Sequence, residues 1–264
     1  MVEFCSLYSG SSGNSLFVKN NDTRILIDAG VSTRKITTAL NEIGESAEKI
    51  DAVLISHEHK DHIQGIKVFF KKYGVPVYAN AKTWGEIEKY TQDIIPDSEK
   101  RYFTTNEEFK IKDLTIKTFP ISHDAVEPVG FNVFADDKKI TTATDLGYIS
   151  KEVMTALDAS DLLFIESNHD KEMLKMGIYP WYLKQRILSK EGHLSNDVAG
   201  KAIAYFANRG TKKFILGHLS KNNNFPELAY QTVKNILESH EISITDDISL
   251  SIASQDNVGE MNYI

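Results

Sequence analysis

Short apolar runs alternate with stretches whose apolar residues recur at helical spacing, and small polar turns separate them. Phe4 to Tyr8 reads as a first strand, followed by the loop Ser9-Gly10-Ser11-Ser12-Gly13-Asn14. Leu16-Phe17-Val18 and Arg24-Ile25-Leu26-Ile27 predict a hairpin across Asn20-Asn21-Asp22. Asp28-Ala29-Gly30 closes that hairpin before a helix capped near Ser32 or Thr33 and stopped by Gly44. The run Ile50 to Ile55 is aliphatic apart from Asp51, which marks a strand buried on both faces. From Ile63 onward, Ile66, Phe69 and Phe70 return at helical spacing.

The same alternation continues. A short strand at Val75 to Ala79 precedes an amphipathic helix near Thr83 to Tyr90. Leu114 to Phe119 alternates as a strand should, and Gly130 to Phe134 pairs with Lys139 to Ala143 across Asp136-Asp137. Leu162 to Ile165 and Lys213 to Gly217 are further strands, with a helix between them from Asn196 to Asn208, capped at Ser195 and closed by Gly210. Pro226 to Ser239 reads as a last long helix, and Ile242 to Ala253 as terminal β structure. No repeat, low-complexity segment or linker interrupts this order, so residues 1–264 are expected to form one α/β domain.

Against that background one stretch stands out: Ser56-His57-Glu58-His59-Lys60-Asp61-His62, in a strand-to-helix turn. In extended backbone His57 and His59 project to one side, and Asp61 and His62 begin the helix, whose N-terminus favours a carboxylate. Imidazoles and a carboxylate packed so closely suit Zn²⁺ or a similar divalent ion. His123, Asp145 and His218 likewise stand just beyond apolar strands, where open α/β sheets place their sites. Five of the eight histidines are used this way, more than isolated structural roles would explain. Asp28 fits two readings equally, a plain turn residue or an acceptor that orients the metal-binding turn. The Ser/Gly loop reads better as a tight turn than as amides facing an anion. His169 either joins the site or is exposed. His240 follows the last helix, where an imidazolium complements the dipole, and is assigned no chemistry.

Composition narrows the setting. The chain has 264 residues with ordinary hydrophobic and charged content, and no apolar stretch of about 18 residues that could span a membrane. Met1-Val2-Glu3-Phe4 lacks the basic and apolar regions of a secretion signal, and the single Cys5 fits a reducing compartment. A cytoplasmic location is therefore expected, with Cys5 a small buried side chain. The net charge of −7 weighs against a nucleic-acid partner, although bound metal ions would add positive charge that the formal count omits.

The H-x-H-x-D-H arrangement of His57, His59, Asp61 and His62 resembles the metallo-β-lactamase-fold hydrolases. With the alternating strand and helix signals, the resemblance implies a four-layer αββα sandwich, two central mixed sheets with helices outside each. It implies one divalent ion held by His57, His59 and His123, a second held by Asp61, His62 and His218, and Asp145 bridging them. An aspartate rather than a cysteine at 145 departs from the pattern of antibiotic-cleaving lactamases. All-N/O ligands suit a two-metal hydrolase with zinc or manganese, in which a metal-bridged hydroxide attacks and Asp61 counts among the catalytic groups.

Glu166-Ser167-Asn168-His169-Asp170, then Gly192-His193-Leu194-Ser195-Asn196, then His218 follow the motif order of the ribonuclease Z branch. That order implies His193 as a proton donor oriented by Glu166. Read without it, His193 belongs to a helix cap and Glu166 is a surface charge. Ser9 to Asn14, Ile27-Asp28-Ala29-Gly30, the His motif, Glu166 to Asp170 and Gly217-His218-Leu219-Ser220 together resemble the bacterial YycJ (WalJ) branch. This implies a nuclease acting on DNA from the 5′ end. Asp145 and His218 are too close in sequence for the large inserted domain of ribonuclease J-like enzymes.

The leading expectation is thus a metal-dependent phosphodiesterase acting on nucleic acid, DNA in particular, with no membrane partner and a homo-oligomer left open. The alternatives are a thioester, lactone or cyclic phosphodiester hydrolase, and a regulatory metal-binding module. Absence of Cys ligands disfavours the last. Lys67, Lys71 and Lys72 are candidate phosphate contacts. Lys184, Arg186 and Lys190 near Tyr179, Trp181 and Tyr182 are a candidate base-stacking surface, although the charged face of an amphipathic helix is the commoner meaning of such a stretch.

Overall fold

Two seven-stranded sheets carry the chain, and the computed structural model describes residues Met1–Ile264. The first half runs β1 (Val2–Tyr8), β2 (Ser15–Asn20), β3 (Thr23–Ile27), α1 (Thr33–Glu42), β4 (Ala52–Leu54), α2 (Lys60–Ile63), α3 (Ile66–Tyr73), β5 (Val77–Ala79), α4 (Ala81–Thr91) and β6 (Lys100–Tyr102). The second runs β7 (Glu108–Ile111), β8 (Leu114–Pro120), β9 (Val129–Ala135), β10 (Lys138–Ala143), α5 (Lys151–Leu157), β11 (Leu162–Glu166), α6 (Lys171–Met176), α7 (Trp181–Ile187), α8 (Asn196–Ala207), β12 (Lys213–Gly217), α9 (Pro226–Ser239), β13 (Ser249–Ile252) and β14 (Asn262–Tyr263).

The sheet orders are β14-β1-β2-β3-β4-β5-β6 and β13-β12-β11-β10-β9-β8-β7. Each sheet is mixed. Hairpins make β1–β2–β3 and β7–β8–β9–β10 antiparallel, whereas crossover helices make β3–β4–β5–β6 and β10–β11–β12–β13 parallel.

Three apolar layers show why the strands read as continuous aliphatic runs. Between the sheets, Phe4, Ile25 and Leu54 meet Phe131, Ile140 and Phe164. Outside the first sheet, Leu26 and Val53 face Leu40, Phe69 and Trp84 of the helices. Outside the second, Leu163, Ile165 and Leu216 face Ile203, Phe206 and Val233. Neighbouring residues such as Ile25 and Leu26 therefore both lie in apolar surroundings on opposite faces. Each such side chain contributes about 1.5–3 kcal/mol by leaving water. The result is the four-layer αββα arrangement expected from the sequence.

Several boundaries differ from the sequence reading. The ladder of β4 covers only Ala52–Leu54, although Ile50 and Ile55 are also buried. The helix expected from Ile63 divides into α2 and α3 around Gly65. There the chain presses against the Ala29–Val31 turn, and a Cβ on Gly65 would lie 2.1 Å from the Val31 carbonyl oxygen. Ser195 takes the N-cap position of α8 without a side-chain cap hydrogen bond. Terminal β structure is confined to β13, β14 and an isolated bridge between Ile244 and Ile248, and β14 returns to pair antiparallel with β1. No helix is long and apolar enough to cross a membrane.

Candidate metal centre

Parallel pairing sends the carboxyl ends of β3 and β4 to one edge of the first sheet, and those of β10, β11 and β12 to one edge of the second. Asp28 follows β3, the Ser56–His62 turn follows β4, Asp145 follows β10, Glu166 ends β11 and His218 follows β12. Asp28, Asp145 and His218 leave their strands in left-handed backbone, with φ of 64°, 58° and 54°. For a side chain bearing a Cβ this costs on the order of 1–2 kcal/mol, so the surroundings must hold it. Asp28 N–H donates to the Leu54 carbonyl at 2.8 Å, and His218 N–H donates to Ser9 Oγ at 2.8 Å.

The Ser/Gly loop is thereby part of the site's frame as well as a turn. Its Asn14 takes Gly10 N–H on Oδ1 at 2.9 Å and aims Nδ2 at the Asp61 carbonyl and His62 Nε2, at 3.3 and 3.1 Å. Gly30 accommodates the same close approach, since a Cβ there would lie 1.6 Å from the Asp61 carbonyl oxygen.

His57, His59 and His123 form one group of potential ligands, and Asp61, His62, Asp145 and His218 a second. His123 Nε2 is 3.2 Å from His59 Nδ1. Asp145 stands between the groups, with Oδ1 3.6 Å from His123 Nε2 and Oδ2 3.1 Å from His62 Nε2 and 2.9 Å from His218 Nδ1. Ligands at about 2.0–2.1 Å from a tetrahedral ion stand about 3.3 Å apart, close to these separations.

Hydrogen-bonding neighbours set which ring atoms remain for a ligand. Asp28 Oδ2 lies 2.7 Å from His62 Nδ1, so Nδ1–H donates to it and Nε2 faces inward. Asp28 also accepts from Ser56 N–H at 2.9 Å and from Ser56 Oγ at 2.8 Å, so it organises the His turn, the second of its two sequence readings. His123 Nδ1 is 3.2 Å from the Gly192 carbonyl. His57 Nε2 is buried without a hydrogen-bond partner, and Asp145 Oδ2 and His218 Nδ1, although 2.9 Å apart, do not meet in hydrogen-bond geometry. Orphaned, convergent N and O atoms of this kind are costly without a cation, and the residues fit divalent metal ions.

Burial keeps the His57 imidazole neutral, well below the usual histidine range, as a ligand must be. Burial opposes charge on His62 and His218 as well, but the carboxylates beside them, Asp28 and Asp145 for His62 and Asp145 for His218, hold both above the usual histidine range, so an ion bound there would displace their protons.

Glu166 is fully buried, which overturns its reading as a surface charge. Its Oε1 lies 2.8 Å from His193 Nδ1, and its Oε2 accepts from Leu146 N–H at 3.1 Å and Leu194 N–H at 3.0 Å. The carboxylate thus ties the turn after Asp145 to the loop carrying His193. Burial opposes the His193 charge, but Glu166 more than offsets it and raises the imidazole to about 9. His193 Nδ1 is also 3.7 Å from Asp145 Oδ1.

His169 is buried rather than exposed, with both ring nitrogens unpartnered. Cys5 is buried, and burial pushes its thiol up to about 12. His240 caps α9, its Nδ1 2.8 Å from the Ile236 carbonyl.

In this region Asp124 escaped the sequence reading, and Arg186 was read only as part of a basic and aromatic stretch. Asp124 Oδ1 is 3.5 Å from His123 Nε2, and Asp124 Oδ2 accepts from Arg186 Nε. Adjacency to His123 was the signal for Asp124. The Arg186 pairing left no local signal, since its partner lies 62 positions away. Beside them opens a cavity of about 150 Å³, lined by His123, Asp124, Tyr179, Arg186, His193 and Ser220 among others.

The profile described as "Beta-lactamase superfamily domain" matches residues 23–219. The chain is 41% identical over 264 residues to exodeoxyribonuclease WalJ of Streptococcus pneumoniae serotype 2, covering 99% of this chain and 98% of that relative. It is 38% identical over 237 residues to exodeoxyribonuclease YycJ of Bacillus anthracis, covering 90% of this chain and 89% of that one. The metallo-β-lactamase fold protein YhfI from Bacillus subtilis shares the fold, with a TM-score of 0.72 at 18% identity, covering 99% of this chain and 98% of that structure.

Proposed function

We propose, from the premise that the chain belongs to the β-lactamase superfamily, that it is a metal-dependent exodeoxyribonuclease digesting DNA from the 5′ end, with residues 1–264 forming one domain. The observation that carries this reading is the Glu166–His193 pair beside the His/Asp cluster. Cleaving a phosphodiester expels an alkoxide that needs a proton, and His193 is a donor already oriented for it. Likeness to two exodeoxyribonucleases over most of the chain supports DNA as the substrate class.

In this reading His57, His59 and His123 would hold one divalent ion, Asp61, His62 and His218 a second, and Asp145 both, with zinc or manganese suited to the N/O donors. Bound ions would supply Lewis acidity to the phosphodiester and to water. The remaining work falls to the chain itself. Asp28 and Ser56 hold the imidazoles in register. Asp61, with 26% of its side chain exposed against 3% for Asp145, orients the incoming water. Glu166 favours the charged form of the His193 imidazole, and with Nδ1 bound to Glu166 the proton to be delivered is the one on Nε2.

End-labelled DNA and RNA, digested with added Mn²⁺ or Zn²⁺ beside thioester and lactone controls, test this directly. Label released first from the 5′ end of DNA, with a rate that weakens steeply as salt rises, is the expected result. Thioester or lactone hydrolysis with no nuclease activity under either metal would replace the proposal with the small-molecule reading.

A further inference from the structure

The wall of the cavity beside His193 continues outward into an unusual stretch of surface. Of fourteen large apolar side chains left exposed on the molecule, five lie between Met176 and Leu188. Trp181 and Tyr182 are 68% and 73% exposed and belong to none of the three apolar clusters. Farther along the same helix, α7, Arg186 lines the cavity that holds His193. Trp181 to Lys190 carries no acidic residue, in a chain whose net charge is −7, and of its basic residues Arg186, paired with Asp124, and Lys190 reach the surface while Lys184 is buried. Exposed aromatic faces in a basic stretch suit an anionic partner with flat apolar groups, the combination found in single-stranded nucleic acid.

We infer that Trp181 and Tyr182 form a stacking platform for the bases of single-stranded DNA as its end enters the cavity, an inference that rests on the nuclease reading above. The segment is fixed relative to the site. The buried Lys184 donates from Nζ to the Lys175 carbonyl at 2.6 Å, locking α7 to α6. Asn222 Nδ2 donates to Tyr179 Oη at 2.8 Å, tying the α6–α7 connection to the loop after His218. A strand whose end reaches His193 through this cavity gives up the stacking its terminal bases had in a duplex. The platform would replace the base stacking that the strand gives up. It makes single-stranded ends the preferred substrate, and α7 sets that preference.

The test compares the wild type with a Trp181→Ala/Tyr182→Ala double variant on single-stranded DNA, blunt duplex DNA and bis-p-nitrophenyl phosphate, a diester without bases to stack. Base stacking lost from one or two aromatic rings should lower the ratio of single-stranded DNA to small-diester kcat/KM by about five- to 150-fold per base. Intrinsic fluorescence gives a readout independent of turnover. Trp84 is buried, so quenching by oligothymidylate reports on Trp181 and should vanish in Trp181→Ala. An unchanged ratio together with no quenching, in a protein that digests DNA, overturns the platform alone. Sedimentation showing a dimer that the double variant dissolves, with DNA digestion unaltered, would overturn it in favour of a contact between copies. Wild-type protein that cleaves the small diester but no DNA fails the nuclease reading itself, and the platform with it.

Discussion

Asp28 Oδ2 and His62 Nδ1 lie 2.7 Å apart although they are 34 positions apart in the chain, one just after β3 and the other in α2. The carboxylate fixes the imidazole's tautomer and ring orientation before any ion arrives. Asp28→Asn keeps size and tolerates the left-handed backbone at this position but loses the charge. Metal affinity, measured by competition with a chromophoric chelator, should fall roughly 10–100-fold with the fold intact. Unchanged affinity would reduce Asp28 to a turn residue.

The position of Asp145 between two ligand groups makes a second prediction. Asp145→Ala should lower occupancy at both metal positions, whereas His218→Ala should weaken mainly one. Elemental analysis after dialysis distinguishes them. Two ions retained in full by Asp145→Ala would contradict a shared carboxylate.

For the proton donor, His193→Ala should leave both metals bound while slowing DNA cleavage by roughly 10²–10⁴-fold, the usual worth of general acid catalysis. Glu166→Gln should lose less, since it orients and charges the imidazole rather than giving up the proton. A nitrophenyl phosphodiester has a leaving group that needs little protonation. On it the His193→Ala variant should recover much of its rate relative to wild type. Equal losses on both substrates would assign His193 to phosphate binding, and no loss on either would leave it a structural residue.

His169 predicts a pH effect on stability. Burial lowers its imidazole to about 4, from the ordinary 6.5 it regains on unfolding. As pH falls below about 6.5 the unfolded chain takes up a proton that the folded chain refuses until about 4, so stability drops across that window. His169→Gln should flatten this part of the profile in urea denaturation between pH 7 and pH 4, a window taken from those two values. Parallel profiles for variant and wild type would show that His169 does not titrate this way.

Much of the architecture is written in local pattern, and the rest depends on partners distant in the chain. Strands buried on both faces carry apolar residues on both, so β3, β11 and β12 are visible as aliphatic runs, and the parallel pairing of β3 with β4 and of β10, β11 and β12 directs His57, Asp145 and His218 toward one site. The strands β6, β7 and β14 left little trace because they are sheet edges, paired on one side and partly open to water. The helices α5 and α6 span only seven and six residues, too few for an apolar period to repeat. Asp28 read equally as turn or support until His62 stood beside it. Glu166 reads as a surface charge or as the orienter of His193, and the fold decides: β11, flanked by β10 and β12, buries it, and the loops carrying Leu146 and Leu194 supply two backbone N–H donors. Residue type and spacing determine which groups can bind a metal or carry a proton. Burial and hydrogen-bond partners decide which of them are oriented and charged to do so, and those arise only when segments far apart in sequence pack together.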